Sequence, residues 1–455
     1  MTAASAPGGM RQVREVSLIL LATSIVWASF IIVVDAYPLG SDEAEYDFTA
    51  RRLASGLGLT DRGGALYVHT HPPFYPIFIG GIYALGGGAA AVRWVQLAVA
   101  LATLVLVSLT ARRVFGTAAA RAALLAGGAY LPTAYYVTRL LSEVLFAFFL
   151  VVGVYLLITA SARERRGWWL DGAAGVAFGV AGLTRGVALV AALTVAFALL
   201  LRRGIPGGRR WVSAAAFAVG VAAAVLPWSV YVYSETGRPV LVDTKGPDIL
   251  YLGNGPGTPM HHAWDMIDGS GGYFVPPEGI RAGSVYGRSQ VLGVAALKYM
   301  AAHPFQTSLR FVSKFADMWE VERLFIGAWR EGFLLKAPKP WIYFYIAAEV
   351  AASAAALALF WFTIPLTGKS LWRGLTLAVV LSTAVAYALT IAHPRYNYPL
   401  MVLGLPAVGY FFVDALPRLR ARAIPRRRLV LAGVLVAVLL LIWARMAWLF
   451  FARGS

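Results

Sequence analysis

Residues 16–34 form a predominantly apolar run, and runs of similar length return at 91–110, 119–137, 141–160, 168–183, 186–201, 211–233, 341–366, 371–391, 396–415 and 429–450. About 20 helical residues cross the hydrocarbon core of a bilayer, and a chain in lipid must satisfy its backbone polar groups internally. Eleven such runs therefore predict an all-α integral membrane bundle of about 11 transmembrane helices. The composition agrees: 59% of residues are hydrophobic and 14% charged, against about 25% charged in an ordinary soluble domain. The first run follows Arg11 and Arg14 and has no small-residue cleavage site after it, so it reads as a retained anchor. There is no cysteine, which excludes disulfides, thiolate metal sites and a cysteine nucleophile.

The net charge of +18 comes from arginine clusters squeezed between apolar runs, a pattern that marks topology rather than nucleic-acid binding. The uncertain piece is 72–85, apolar but short, opened by a proline pair and closed by three glycines. If it does not cross, the clusters at 112–121, 163–166, 202–210, 369–373 and 418–428 all fall on the cytoplasmic side, as the positive-inside rule requires. It is therefore expected to be re-entrant or surface-lying on the outer face. Of 22 Asp and Glu, six then lie in 35–72 and ten in 235–340, both outer loops, and all six histidines are outside as well. This divides the chain into an N-terminal transmembrane module (1–233) whose first outer loop (35–90) carries the chemistry, an extracytoplasmic loop domain of mixed structure (234–340) that turns helical from about 287 to 322, and a C-terminal transmembrane module (341–455). The expected location is the cell membrane, multi-pass, with the active site on the extracytoplasmic face.

In this acid-poor chain the stretch SDEAEY at 41–46 places three carboxylates within four residues. A structural role is sufficient to explain them: Ser41 caps a helix running to Ser55, Asp42, Glu43 and Glu45 favour the positive end of its dipole, and Gly56 and Gly58 end it. With Ala44, Phe48 and Leu53 toward lipid and Arg51 and Arg52 toward water, that helix is expected to lie on the outer membrane surface. Asp42 and Glu43 then face the mouth of the bundle at headgroup depth, so a cap and a catalytic site are compatible.

These residues, with HTHPPFYP at 69–76, TRLLSEVLF at 138–146, LTRG at 183–186, YLGNGPGT at 251–258, HPFQTSLRFVSKFADMW at 303–319 and HPRYNYPLMVL at 393–403, resemble the protein O-mannosyltransferase family and its bacterial relatives, including the lipid A aminoarabinose transferases. The resemblance runs from about residue 16 to 410 and rests on the order and spacing of motifs that are individually weak. It implies a C-type glycosyltransferase fold that moves one sugar from a polyprenyl phosphate to an acceptor on the outer face. It also implies that Asp42 is the catalytic base and Glu43 a neighbour that orients groups or binds a metal. The chain lacks the long soluble domains of the eukaryotic protein mannosyltransferases, which counts against a protein acceptor among the glycolipid, polysaccharide and protein acceptors that the resemblance implies.

An acceptor hydroxyl needs a base as it attacks, and a leaving polyprenyl phosphate needs fixed cations or a metal. Arg139, Arg185 and Arg395 sit at outer ends of runs, where a guanidinium can hold phosphate in a bidentate fashion. Their plainer alternatives are an ion pair of Arg139 with Glu143 and snorkelling of Arg185 and Arg395 to headgroups. Tyr46 and Tyr396 can hydrogen-bond phosphate, although interfacial tyrosines are common. His69, His71, Glu143, Asn254 and His393, within the matching motifs, are the candidate substrate-binding residues. Glu43, His69 and His71 are the candidates for a divalent metal, the one cofactor the sequence suggests, but their spacing is not diagnostic and a loop beside a proline pair accounts for the histidines equally. The alternatives to an enzyme are a polyprenyl-lipid flippase and a non-catalytic lipid-binding assembly subunit. Charged groups near the midplane and repeated halves, expected of the first, are not evident.

Overall fold

The computed structural model describes residues 7–33, 39–64, 66–68, 71–162, 167–202, 207–261, 285–322 and 339–452. Its regular structure is helical, apart from one isolated bridge between Thr60 and Leu66. The helices are α1 (Pro7–Val33), α2 (Ser41–Ala54), α3 (Phe74–Ala84), α4 (Ala89–Phe115), α5 (Thr117–Gly128), α6 (Pro132–Thr138), α7 (Glu143–Ser161), α8 (Trp168–Thr184), α9 (Ala188–Leu200) and α10 (Gly207–Thr236). They continue with α11 (Gly246–Asn254), α12 (Val285–Ala302), α13 (Pro304–Met318), α14 (Lys339–Thr363), α15 (Leu371–Leu389), α16 (Tyr398–Tyr410), α17 (Leu416–Arg420) and α18 (Arg426–Ala452).

Among the described residues, eight helical stretches are long and apolar enough to cross a membrane, not eleven. The expected run at 119–137 breaks into α5 and α6, where Gly127, Gly128 and Pro132 interrupt it. The runs at 168–183 and 186–201 become α8 of 17 residues and α9 of 13 residues. The segment around 72–85 becomes α3, whose 11 residues span only ~16 Å at 1.5 Å per residue. It is too short to cross, in keeping with a segment that stays on one side.

Glycines let the helices approach closely where lipid provides no hydrophobic drive. A Cβ on Gly175 of α8 would lie 2.0 Å from the Phe217 carbonyl oxygen of α10, and one on Gly220 would lie 2.0 Å from that of Gly172. These two helices meet backbone to backbone. Glu349 of α14, inside an apolar span, faces the bundle and is fully buried, with Ser353 Oγ donating to its carboxylate at 3.4 Å.

The expected lipid-facing stripe of α2 is not found. Leu53 packs against α3, where a Cβ on Gly80 would lie 2.9 Å from it, and Phe48 lies beneath the guanidiniums of Arg52 and Arg62. The helix starts at Ser41 with Gly40 as its N-cap, so Ser41 is not the cap. Glu43 serves the role instead, its Oε2 accepting the Gly40 N–H at 2.9 Å. Gly56 and Gly58, at φ 76° and 74°, do end the helix as expected.

In the 234–340 region the expected helical stretch is present, divided by His303 into α12 and α13. The amphipathic α13 has inverted faces: Phe305, Leu309 and Val312 are exposed, while Arg310, Ser313, Lys314 and Asp317 are buried. Its polar face ties this region to the neighbouring helices. Lys314 Nζ donates to the Thr390 oxygen at 2.8 Å and to Asn254 Oδ1 at 2.9 Å, and Asn254 Nδ2 donates to the Leu389 oxygen at 2.8 Å. The last carbonyls of α15, which a helix end leaves unpaired, are thus capped by side chains from two other elements.

Candidate active site

The loop after α15 enters the site as a single turn of 3-10 helix, Pro394–Asn397. Pro394 has no N–H to satisfy at this position. His393 Nδ1 accepts the Arg395 N–H at 3.0 Å, and Asn397 Nδ2 donates to the Met318 oxygen at 3.0 Å. Those bonds fix the turn against α13 and aim Arg395 at the first turn of α2, where Arg395 Nη2 meets Asp42 Oδ2 at 3.0 Å.

A second carboxylate stands behind the first. Glu143 opens α7 and is 1% exposed. Its Oε1 lies 2.6 Å from Arg185 Nη1 and 3.7 Å from Arg395 Nε. Arg185 follows α8, which it leaves in an extended conformation, and its guanidinium lies over the Tyr396 ring, 5.0 Å from the centroid. Tyr396 in turn stacks on Tyr387 at 4.1 Å. These groups line a cavity of about 480 Å³ together with Tyr46, His71, His393, Asp243 and Lys245. Lys245, at the start of α11, has no ion-pair partner within 4 Å among the described residues.

Asp42 is held well below the usual carboxylate range. Burial alone would raise it, but the Arg395 guanidinium, with smaller help from Lys245, outweighs that cost. His71 lies between Asp42 Oδ1 at 3.7 Å and Glu45 Oε2 at 3.5 Å, its ring packed on Tyr46. Burial, reinforced by Lys245, lowers it below its ordinary value against the pull of the two acids, so the imidazole is neutral at pH 7. Arg395 is therefore the main source of Asp42's low pKa. Burial and the Asp42 charge push Tyr46 far up, leaving its hydroxyl a donor.

Of the residues expected from sequence, Asp42, Tyr46, His71, Glu143, Arg185, His393, Arg395 and Tyr396 come together at this cavity. Arg185 and Arg395 point into it rather than snorkelling away. Glu43 and Arg139 lie behind it, paired with each other: Arg139 Nη2 is 2.7 Å from Glu43 Oε2, with side chains 7% and 2% exposed. Glu43 Oε1 also accepts the Leu140 N–H at 2.8 Å. The pair thus clamps the start of α2 to the 139–142 loop that leads to Glu143. The expected Arg139–Glu143 contact gives way to this one, because Arg139 leaves α6 in an extended conformation and no helical turn connects the two residues. Asn254 belongs to the scaffold under Lys314 and is 2% exposed. His69 lies outside the described residues.

Both oxygens of Glu43 are engaged; of the expected metal set with His71, His69 lies outside the described residues, among which no group of three or more His, Asp or Glu side chains can hold a metal ion. The sequence reasoning passed over Lys245, Asp243 and Tyr387. Lys245 was the most accessible of these, as an isolated lysine in a glycine- and proline-rich outer loop. It also passed over Gln96, whose Nε2 donates to the Arg139 oxygen at 2.8 Å while its Oε1 accepts from Tyr75. A polar side chain inside an apolar run was the available signal.

Residues 70–233 match the dolichyl-phosphate-mannose-protein mannosyltransferase family. The mannosyltransferase match spans α3 to α10 and includes His71, Glu143 and Arg185, while Asp42, Lys245 and Arg395 lie outside it. Among solved structures, ArnT from Cupriavidus metallidurans bound to undecaprenyl phosphate is 19% identical, with 90% of this chain and 81% of that chain covered and a TM-score of 0.42. The Archaeoglobus fulgidus oligosaccharyltransferase in complex with zinc and sulfate is 15% identical, with 92% and 53% covered and a TM-score of 0.49. The same archaeal enzyme, AglB, with an inhibitory peptide and a dolichol phosphate, gives 13% identity and a TM-score of 0.47. This chain spans about half the length of the oligosaccharyltransferase. No protein of curated function matches it.

Proposed function

We propose that the protein is a membrane glycosyltransferase that moves a single sugar from a polyprenyl-phosphate donor to a hydroxyl or phosphate group of an acceptor, with Asp42 as general base. The carrying observation is the hydrogen bond between Asp42 and Arg395 at the rim of a cavity that also holds Arg185 and Lys245. It puts a base and cations for a phosphate within one site. The donor class is supported by the family matched over residues 70–233, whose members act on dolichyl-phosphate mannose by name.

In this reading the donor phosphate lies against Arg185, Arg395 and Lys245, with Tyr396 and Tyr46 supplying hydroxyl donors. The acceptor oxygen attacks the anomeric carbon as Asp42 takes its proton. The bond from the anomeric carbon to the phosphate oxygen breaks, and the leaving polyprenyl phosphate carries away the electron pair, its charge stabilised by the guanidiniums and the ammonium. A carboxylate with a strongly lowered pKa is a weak base. Donor phosphate competing for Arg395 relieves that, so the base is strengthened when the donor is in place. Glu143 holds the two arginines apart, and Glu43 with Arg139 positions Asp42. His71 and His393 line the acceptor side, and the site opens to the extracytoplasmic face of the cell membrane, the parity that places the arginine clusters in the cytoplasm.

The test is to incubate purified protein with a panel of polyprenyl-phosphate sugars and candidate glycolipid, polysaccharide and peptide acceptors, and to identify products by mass. A product carrying one added sugar, formed by the parent and not by an Asp42→Asn variant that still binds donor, supports the proposal. Donor binding without turnover on any acceptor favours a lipid-binding subunit instead.

A further inference from the structure

The helices that carry the Asp42 cavity carry a second one at their other ends. Glu143, Thr184 and Val187 of the 143–200 region line the first cavity, whereas Ser161, Trp168 and Leu199 line the second, of about 230 Å³. The 19 residues of α7 separate the two by ~28 Å, close to the ~30 Å of a hydrocarbon core. If one cavity opens at one membrane surface, the other opens at the opposite surface.

Three guanidiniums, from Arg202, Arg209 and Arg210, face the second cavity against a single carboxylate, Asp171. Among the described residues the Arg202 guanidinium makes no hydrogen bond and no ion pair within 4 Å; burial and the neighbouring Arg209 lower its pKa, against the pull of Asp171. Ser161 and Ser213 also line the cavity, with the Ser161 hydroxyl donating to the Ile158 oxygen at 2.7 Å and Ser213 hydrogen-bonded to Asp171. Around the opening, Trp168, Trp169 and Trp211 are 59%, 49% and 68% exposed. Exposed tryptophans on an apolar bundle mark headgroup level, and a basic pocket between helices at that level has the chemistry of an anionic headgroup site.

We propose that this arginine-lined cavity binds the phosphate of an anionic phospholipid headgroup in the leaflet opposite the Asp42 cavity. The apolar walls of α8 and α10 then lie along the acyl chains, and the lipid phosphate adds counter-charge to a cavity whose described lining carries three guanidiniums and the Asp171 carboxylate. The site is independent of the reaction at Asp42.

Native mass spectrometry of the full-length protein with added phosphatidylglycerol, phosphatidylcholine or inorganic phosphate tests this. The parent should retain phosphatidylglycerol in preference to phosphatidylcholine. An Arg202→Lys/Arg209→Lys/Arg210→Lys variant keeps the charge that orients the chain but loses the planar fork, and should retain phosphatidylglycerol about tenfold more weakly. Arg202→Gln alone, which removes a guanidinium that makes no hydrogen bond among the described residues, should weaken retention in the same direction. Equal retention of both lipids by the parent, or unchanged retention of phosphatidylglycerol by both variants, overturns the proposal. Displacement of the lipid by equimolar inorganic phosphate also overturns it, in favour of a site for soluble phosphate.

Discussion

Asp42 and Arg395 lie 353 positions apart and meet through a 3.0 Å hydrogen bond between Oδ2 and Nη2. The contact joins the first turn of α2 to the 3-10 turn between α15 and α16, so the two ends of the chain close one site. Neither partner is fully buried, with side chains about 30% exposed. An exchange of Arg395 from carboxylate to donor phosphate therefore needs no rearrangement of the core.

Asp42→Asn keeps the size of the side chain and can still hydrogen-bond Arg395, but it cannot accept a proton. Transfer should fall at least a hundredfold, within the usual contribution of a general base, while donor affinity changes little. Initial rates and donor binding measured on the same preparation decide it. Turnover within threefold of the parent would remove the base from Asp42.

The pH dependence follows from the same pair. Asp42 is lowered by Arg395 against the burial that raises it, so it stays ionised throughout the working range and gives the parent no acid limb above pH 5. In Arg395→Gln burial is opposed mainly by Lys245, so the Asp42 pKa rises and activity should acquire an acid-side decline that the parent lacks. His71 has the other linkage. Its folded pKa lies below the ordinary histidine value of 6.5, so the unfolded chain binds a proton first and stability is full above 6.5 and lost as pH falls below it. Melting temperatures of the parent and His71→Asn between pH 5 and 8 should diverge only on the acid side.

The membrane class, the short helix within 72–85 and most of the residues lining the cavity were legible in the sequence because they rest on composition, length and motifs that project side chains directly. The division of 119–137 into two helices was not: the run is apolar throughout, and hydropathy averages over Gly127, Gly128 and Pro132. The burial of Glu43 with Arg139 was also hidden. Two charges 96 positions apart look alike whether they meet a substrate or each other, and only the fold decides. The faces of α2 were misjudged for a similar reason. Leu53 and Phe48 are apolar enough for lipid, but Gly80 makes room for Leu53 on α3.

The Glu43–Arg139 pair should be worth more to folding than to chemistry. Glu43→Gln leaves a guanidinium uncompensated at 7% exposure, and breaking a buried pair costs about 3 to 5 kcal/mol. The Glu43→Gln/Arg139→Gln double variant removes both charges and should recover part of that loss. Thermal unfolding of the four proteins forms the cycle. Strictly additive losses would detach the residues from each other and return Glu43 to the list of candidate metal ligands.

Among the described residues Lys245 lines the cavity without an ion pair within 4 Å, so replacing it should weaken donor binding while leaving the fold intact. Lys245→Ala is expected to lose about 1.5 to 3 kcal/mol of donor affinity, the range of a charge-assisted hydrogen bond, with a melting temperature close to the parent's. Titration with donor lipid checks the first and thermal unfolding the second. A variant that melts early and binds donor normally would make Lys245 a scaffold residue.

The glycine of YLGNGPGT makes a sharper claim about scaffold. A Cβ on Gly253 would lie 1.7 Å from the Thr390 oxygen, which is the same oxygen that Lys314 Nζ bonds at 2.8 Å. Gly253→Ala must therefore push the end of α11 off α15 and strain or break the lysine cap, five residues before Arg395. Overpacking alone costs about 1 to 3 kcal/mol, and an unsatisfied buried polar group adds a similar amount. The variant should melt well below the parent, and what folds should bind donor more weakly because the turn that aims Arg395 is displaced. Lys314→Met should produce the same two effects without adding a clash. If Gly253→Ala melts with the parent, the close approach of α11 to α15 is not part of what holds Arg395 on Asp42.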